Sequence, residues 1–184
     1  MDLTGKITAW GLSWFLFVQA LPPMNEHSLA REYFFLLDGE PCLAERLLSI
    51  TENKGSDQNI LIAYQGAAHA VMAECLRHPY LKLRQFNLGK TILDRAVERE
   101  PYNPEIRFIR FMIQDRAPGF LGYDNRREDL FVLVEYFNNR MFQEKVDEFD
   151  IKMGNALLAS DFPARNQKEC ISIFIDQCKI LKIK

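Results

Sequence analysis

The chain has 184 residues, of which 48% are apolar, and a formal net charge of −2. This length and composition predict one domain with enough apolar side chains to bury a core. Positive and negative side chains are interspersed, so the sequence lacks the basic stripe that nucleic-acid binding requires. A strongly anionic membrane is not the expected main partner either.

The first 20 residues have the layout of a secretory signal peptide. A polar start with a single lysine, Lys6, precedes an apolar run over residues 7–21, which is short for a bilayer span of about 20 residues. Val18 and Ala20 occupy the −3 and −1 positions of a cleavage site. We therefore predict export to the periplasm or cell envelope. The mature chain (residues 21–184) is expected to form one helical domain without a transmembrane span.

The alternative for residues 1–20 is an apolar N-terminal helix that docks on the domain or on a membrane. The chain would then be unprocessed and cytoplasmic. No cysteine directly follows the apolar run, so a lipoprotein anchor is not predicted.

Three helical segments follow the apolar run. Asn25 or Ser28 caps a helix that runs to about Asp38, and a shorter helix covers residues 40–50. The polar loop over residues 51–57 precedes the most regular pattern, residues 58–77, where apolar side chains recur at helical spacing. Many small residues on this helix predict that a neighbouring helix packs closely against it.

A sharp corner follows the next helix, which covers residues 80–100 and runs antiparallel to its predecessor. Pro101 ends that helix, because proline lacks an N–H and disfavours a helical residue before it. Asn103 then caps a new helix that has Pro104 at its first position. The helices over residues 58–77 and 80–100 thus form an antiparallel helical hairpin. Its basic residues are interpreted as a solvated face: Arg77, Lys82, Arg84 and Lys90.

The spacing of Gly89, Leu93, Ala96 and Pro101 resembles the second half of a tetratricopeptide repeat (TPR). The resemblance covers one helix and its corner. The following helix departs from it, since Arg107, Arg110 and Phe111 stand where a large aromatic residue and a Leu-Gly pair are expected. No second copy recurs at a period of about 34 residues.

The strings AYQGAAHAVMAE and EIRFIR…APGFLGY, which lie between about residues 60 and 125, are also similar to an uncharacterised family of exported helical proteins from Bacteroidota. This resemblance implies a helical envelope protein, and it implies no activity and no catalytic residues.

The rest of the chain is also predicted to be helical. One helix begins near Asp124, a second apolar stripe runs from Phe142 to Leu157, and a final segment covers residues 165–183. The ISIFI string in that segment is also compatible with a strand, but no second strand candidate exists to pair with it. The predicted fold class is therefore all-α: about seven or eight helices in antiparallel hairpins, forming a TPR-like right-handed array.

Four cysteines are present: Cys42, Cys75, Cys170 and Cys178. An even number permits disulfides in an exported protein. Cys170 and Cys178 are about 12 Å apart on one straight helix, which is too far for a bridge. Since each cysteine falls in an apolar stripe, buried thiols are the simpler expectation.

No known catalytic, phosphate-binding or metal-binding motif occurs in the sequence, so neither a cofactor nor a metal is predicted. One helix face stands out, because Arg107, Arg110 and Gln114 share it at i, i+3 and i+7. Phe120 and Tyr123 follow in the next loop. Guanidinium groups beside aromatic rings suit a carboxylate or phosphate, so these five residues are the candidate binding site. In the alternative, both arginines pair with Glu98, Glu105 or Asp115 and tie helices together.

These observations favour a non-enzymatic, TPR-like protein of the cell envelope that binds a protein or peptide partner. A second hypothesis is a small-molecule or lipid-binding protein, motivated by 14 phenylalanines, which predicts an enclosed pocket lined by aromatic rings. A third is an enzyme with an unrecognised site at Arg107, Arg110 and Tyr123. It predicts carboxylates or histidines that converge on those arginines in a concave site.

Overall fold

A computed structural model describes residues 25–52, 58–141 and 147–182. This part of the chain contains eight α-helices and no strand, which confirms the all-α prediction. Two short 3₁₀ turns, Pro41–Leu43 and Gly119–Leu121, interrupt the connections. The helices are α1 (Glu26–Leu36), α2 (Ala44–Thr51), α3 (Asn59–Cys75), α4 (Pro79–Arg99), α5 (Pro104–Arg116), α6 (Arg126–Arg140), α7 (Glu148–Ala159) and α8 (Arg165–Lys182).

The core is built around α3 and α5. Helix α3 contacts α1, α2, α4 and α5, whereas α6 contacts α5 and α8, and α7 contacts α8. Helix α5 buries more than its predicted apolar stripe, since Phe108, Phe111, Arg110 and Gln114 are also buried. A helix that is buried nearly all round must satisfy its polar side chains internally, and this requirement determines the polar contacts described below.

Helices α3 and α4 approach each other closely through two glycines. A Cβ atom added to Gly89 would lie 2.5 Å from the backbone nitrogen of Ala70 and 2.5 Å from the carbonyl oxygen of Gly66. Real Cβ atoms do not approach backbone atoms so closely, so the position requires glycine. The prediction of a closely packed antiparallel hairpin is confirmed.

Local signals placed the starts of α1 and α5 correctly. The side chain of Asn25 accepts a hydrogen bond from the Ser28 N–H at 2.8 Å, and that of Asn103 accepts from Glu105 and Ile106 at 3.1 and 3.3 Å. Pro104 occupies the first turn of α5, as predicted. In the loop after α5, Gly122 adopts a left-handed conformation with φ of 60°, which favours glycine.

The C-terminal segment that contains the ISIFI string is helical, as favoured from the sequence, and does not form the alternative strand. Ile171, Phe174, Ile175 and Cys178 are buried along α8, and Cys170 is half-buried. The predicted stripe that begins at Phe142 is confirmed from Phe149 to Leu157, whereas residues 142–146 lie outside the described ranges. Residues 1–20 and most of the predicted loop at 51–57 also lie outside them. In the described ranges, no helix combines the length and apolar character needed to cross a membrane.

The expectation of four buried thiols is wrong for one pair of cysteines. A disulfide joins Cys42 to Cys75, with Cα atoms 5.8 Å apart. Cys42 is exposed in a 3₁₀ turn rather than in an apolar stripe, because the predicted helix over residues 40–50 begins as that turn and becomes α-helical only at Ala44. The disulfide ties the segment after α1 to the C-terminal end of α3.

Candidate functional site

The predicted arginine face of α5 packs against the first turn of α6. We call the resulting group the Asp129 cluster, which consists of Asp94, Arg107, Arg110, Gln114, Tyr123 and Asp129. Helix α5 supplies its two arginines and the glutamine, and α6 supplies the central carboxylate. The position of Asp129 near the N-terminus of α6 also favours a negative charge, because the helix dipole is positive there.

Asp129 receives its strongest contacts from the two arginines. Arg110 Nη2 donates to Asp129 Oδ1 at 2.7 Å, and Arg110 Nε donates to Oδ2 at 3.0 Å. Arg107 Nη1 donates to Oδ1 at 2.8 Å, and Arg107 Nε donates to the carbonyl oxygen of Pro101 at 2.7 Å. The first pair is the planar two-point geometry that guanidinium and carboxylate groups favour. Together these contacts fix α6 and the α4–α5 corner onto α5.

Asp94 and Tyr123 extend the cluster towards α4. Asp94 Oδ1 accepts from Arg110 Nη1 at 3.2 Å and from the Tyr123 hydroxyl at 2.9 Å. Burial first, and then the charge of Asp94, raises the pKa of Tyr123, so its hydroxyl stays protonated and donates. Burial would lower the pKa of Arg110, but hydrogen bonds to Asp129 and its charge outweigh that effect and raise it.

Gln114 completes the cluster on the side of the loop. Its amide nitrogen lies 3.4 Å from Asp129 Oδ2, and its oxygen accepts a hydrogen bond from the N–H of Asn125. One side chain therefore connects the central carboxylate to the backbone that precedes α6.

The burial of these groups indicates a structural role for the Asp129 cluster. Asp129 is 0% exposed and Arg110 is 5% exposed. Four of the five candidate binding residues therefore lie together, but they contact carboxylates of the protein itself: Arg107, Arg110 and Gln114 contact Asp129, and Tyr123 contacts Asp94. The partners differ from those expected, since Asp129 and Asp94 take the places assigned to Glu98, Glu105 and Asp115. The enzyme hypothesis required a concave site at these arginines, and the side chains that converge here are instead enclosed.

A second buried carboxylate, Glu105, was not recognised from the sequence as a network centre. Its Oε1 accepts from the Tyr64 hydroxyl at 2.6 Å and from Arg31 Nε at 2.9 Å, and its Oε2 accepts from Arg31 Nη2 at 2.6 Å. His27 Nε2 lies 2.7 Å from Oε1. Burial alone would raise the pKa of Glu105, but the hydrogen bonds from Arg31, His27 and Tyr64 lower it to about 2.

The Glu105 network fastens α1 and α3 to the start of α5. The sequence indicated only that Glu105 suits the positive end of a helix. It contained no local sign of the donors, because they lie 41 to 78 residues earlier in the chain.

The fifth candidate residue, Phe120, lies elsewhere. It is 87% exposed and forms part of the wall of an open apolar groove of about 650 Å³. We use "the groove" for the depression lined chiefly by Leu37, Val71, Leu83, Phe86, Ile113 and Phe120. Four parts of the chain meet there: the end of α1, the C-terminal half of α3, the N-terminal half of α4, and the turn after α5.

Charged side chains are few and lie at the edge of the groove. Arg116 Nη2 pairs with Asp38 Oδ1 at 2.7 Å. Lys82 Nζ lies 3.5 Å from the carbonyl oxygen of Glu74, which is a weak contact. The groove thus has an apolar interior, one arginine–aspartate pair, and two side chains, Lys82 and Glu74, that have no ion-pair partner among the described residues.

The apolar surface continues across α4. A second depression, of about 560 Å³, is lined by Leu76, Leu81, Arg84, Gln85 and Leu88. Tyr80 is also exposed at the start of the same helix. Of the ten large apolar side chains that are exposed in the described ranges, four lie on α4 and a fifth, Phe120, borders the groove. Such a concentration on and beside one helix is typical of a binding surface, because single exposed residues are usually scattered.

Within the described ranges, no group of three or more His, Cys, Asp or Glu side chains has the geometry of a metal site. Comparison of the chain with protein-family models, with curated proteins and with solved structures gives no match.

Proposed function

We propose that this chain is a non-enzymatic helical binding protein whose groove receives an apolar segment of a protein partner. The observation that carries the proposal is the groove itself. Its interior is apolar, and Leu83 and Phe120 are exposed on its edge although they make no contribution to the closed core. Apolar side chains of a partner would cover this surface and remove it from water. The burial contributes a favourable free energy of roughly 25 cal/mol per Å² of apolar area.

The shape of the surface favours a protein partner over a small molecule. The alternative hypothesis predicted an enclosed pocket lined by aromatic rings, but the groove is open and its aromatic residues are Phe86 and Phe120 beside mainly aliphatic neighbours. The exposed apolar residues also continue past the groove to Tyr80, Leu81 and Leu88. A single small ligand would leave these residues in water, whereas a partner chain can cover them.

We also propose that the protein works in the cell envelope. Two observations support this proposal: the signal-like pattern of residues 1–20 and the disulfide between Cys42 and Cys75. Disulfides persist in the periplasm and outside the cell, where thiols are not kept reduced. The mass of the native protein and its distribution among cell fractions test the location. A chain that lacks residues 1–20 in the periplasmic fraction is expected, and an unprocessed cytoplasmic chain would contradict it.

A TPR-like arrangement is part of the proposal. The close antiparallel packing of α3 against α4 and the corner from Pro101 to Pro104 support it. In this proposal the binding face is the surface of α4 and the groove, which includes Phe120, whereas the sequence predicted a face centred on the arginines of α5.

A pulldown from envelope extract with quantitative mass spectrometry tests the binding function. The groove variant carries Leu83→Asn and Phe120→Asn. The control variant carries Ile173→Asn and Tyr102→Asn, which alter exposed apolar residues on α8 and in the α4–α5 corner. We expect the same protein with the wild type and the control, and its loss with the groove variant. A lipid or small molecule that co-purifies with the wild type but not with the groove variant would support the alternative instead.

A further inference from the structure

The start of α4, beside the groove, carries an excess of positive charge. Arg77 precedes the helix, and Lys82 and Arg84 lie in its first two turns. All three are exposed, and no carboxylate pairs with any of them among the described residues. Lys82 faces the groove, whereas Arg84 faces the second depression. A cation therefore flanks each side of the apolar surface of α4.

The backbone adds to this positive potential. His78, the N-cap residue of α4, makes no side-chain hydrogen bond to the first turn, and Pro79 occupies the first turn. The early N–H groups of a helix have no partner within the helix, and the dipole of this 21-residue helix is positive at this end. A carboxylate here would meet both side-chain cations and unpaired N–H donors.

Acidic groups near the groove do not cancel this charge. The carboxylate of Asp38 is paired with Arg116 at 2.7 Å. The other acidic residue that lines the groove is Glu74, which is exposed at the end of α3. Counted over the start of α4 as a whole, Arg77, Lys82 and Arg84 and the helix N-terminus outnumber Glu74, the one groove carboxylate without a charged partner among the described residues. Only Lys82 of these three cations lines the groove, and complementary charge on a partner is favoured beside it.

Given the proposed function, on which this inference rests, we propose that the partner segment is apolar and acidic. Its apolar side chains fill the groove, and one or more Asp or Glu residues next to them lie against Lys82 and the N-terminal end of α4. Arg77, Lys82 and Arg84, interpreted from the sequence as part of a solvated face, then act as the charged rim of a binding surface. Nucleic acid does not fit this chemistry, because the interior of the groove is apolar and the net charge of the chain is −2.

Selection of random 12-residue peptides displayed on phage tests the inference without a known partner. The full chain is the target, and peptides that also bind the groove variant (Leu83→Asn with Phe120→Asn) are removed. We expect the remaining peptides to combine large apolar residues with Asp or Glu. Groove-dependent peptides without acidic enrichment would overturn the inference but leave the proposed function standing. If no groove-dependent peptide is recovered, the proposed function fails as well.

A charge reversal then locates the acidic contact. Lys82→Glu should weaken the best selected peptide about fivefold and strengthen the same peptide with Lys in place of its acidic residues, since an exposed charge pair has a modest effect. The control is Arg95→Glu, an exposed arginine further along α4 for which we expect no change. Equal effects of the two reversals would overturn the assignment to Lys82.

A membrane is the competing source of negative charge. Sedimentation with phosphatidylglycerol vesicles distinguishes it, and we expect no binding that depends on Leu83 and Phe120. Vesicle binding that the groove variant loses would overturn the proposed acidic protein segment and assign the surface to an anionic lipid.

Discussion

Arg110 and Asp129 form a two-point ion pair in the interior of the protein, with N–O distances of 2.7 and 3.0 Å. The pair joins the middle of α5 to the first turn of α6, and Arg107 adds a second cation at 2.8 Å. Because both side chains are buried, this ion pair stabilises the fold and is not available to bind a ligand.

Loss of one partner should therefore destabilise the protein. Arg110→Met removes one of the two guanidinium groups that neutralise the buried carboxylate of Asp129. We expect the free energy of unfolding to fall by roughly 3 to 5 kcal/mol. Urea denaturation followed by circular dichroism measures the change. Arg127→Met, at an exposed position of α6, is the control and should change stability by less than about 0.5 kcal/mol.

Reversal of both charges separates the structural role from a binding role. Arg107→Glu with Arg110→Glu places two new carboxylates beside Asp129 and Asp94 and removes both guanidinium groups that neutralise them, so we expect no stable fold. A folded double variant of near-normal stability would show that these arginines are not needed by the fold, and would return them to the candidate binding site.

Glu105 should make stability depend on pH in the acid range. The pKa of its carboxyl group is about 2 in the folded protein, whereas a solvated glutamate in an unfolded chain has its ordinary pKa of 4.5. The unfolded state thus binds more protons between these values, so stability is fully present above about pH 5 and is lost as the pH falls towards 2. The difference corresponds to roughly 3 kcal/mol.

Glu105→Gln removes this dependence. We expect the variant to be less stable than the wild type at pH 7 and to lose less of its remaining stability between pH 5 and pH 2.5, as measured by urea denaturation at several pH values. Glu98→Gln, which changes an exposed carboxylate on α4, is the control. The same acid sensitivity in the wild type and in Glu105→Gln would contradict the role of Glu105.

The disulfide should contribute strongly to stability, because it closes a long loop. Cys42 and Cys75 are 33 residues apart, and the chain-entropy estimate for such a loop is roughly 3 to 4 kcal/mol. We expect Cys42→Ser to lower the melting temperature, and dithiothreitol to lower that of the wild type but not that of the variant. Cys170→Ser should behave as the wild type does. A wild type that is insensitive to dithiothreitol would argue against the disulfide.

The close contact of α3 and α4 predicts an unusual response to Gly→Ala substitution. Alanine normally stabilises a helix relative to glycine, but a Cβ atom at Gly89 meets backbone atoms of α3 at 2.5 Å. We expect Gly89→Ala to destabilise by about 1 to 3 kcal/mol through this overpacking. Gly39→Ala is the control, because a Cβ atom added at Gly39 has no neighbouring atom within 4 Å. We expect it to leave the melting temperature in thermal denaturation nearly unchanged.

The parts of the fold that depend on neighbouring residues were predictable from the sequence. Asn103 caps α5 and Pro104 starts it because both act within one turn of the chain, and Gly89 permits close packing wherever a small-residue helix such as α3 lies opposite. The all-α class followed from helical spacing of apolar residues along most of the chain.

Contacts between distant residues could not be predicted in the same way. The helical spacing brought Arg107 and Arg110 to one face, but Asp129 became their partner only because α6 folds back on α5. The pairing of Cys42 with Cys75 likewise depends on where α1 ends relative to α3. The groove is the extreme case, since four separate parts of the chain form its walls, and Phe120 was recognised only as a neighbour of the arginines.

Photo-crosslinking in living cells tests directly whether the groove is the surface that binds a partner. A photoreactive phenylalanine analogue is placed at Leu83 or Phe120 in the groove, and at Ile173 or Tyr102 as matched exposed positions. We expect both groove positions to capture the same protein, through an apolar segment with adjacent acidic residues, and the control positions not to capture it. Equal capture from all four positions, or no protein captured from either groove position, would contradict the claim that the groove is the binding surface.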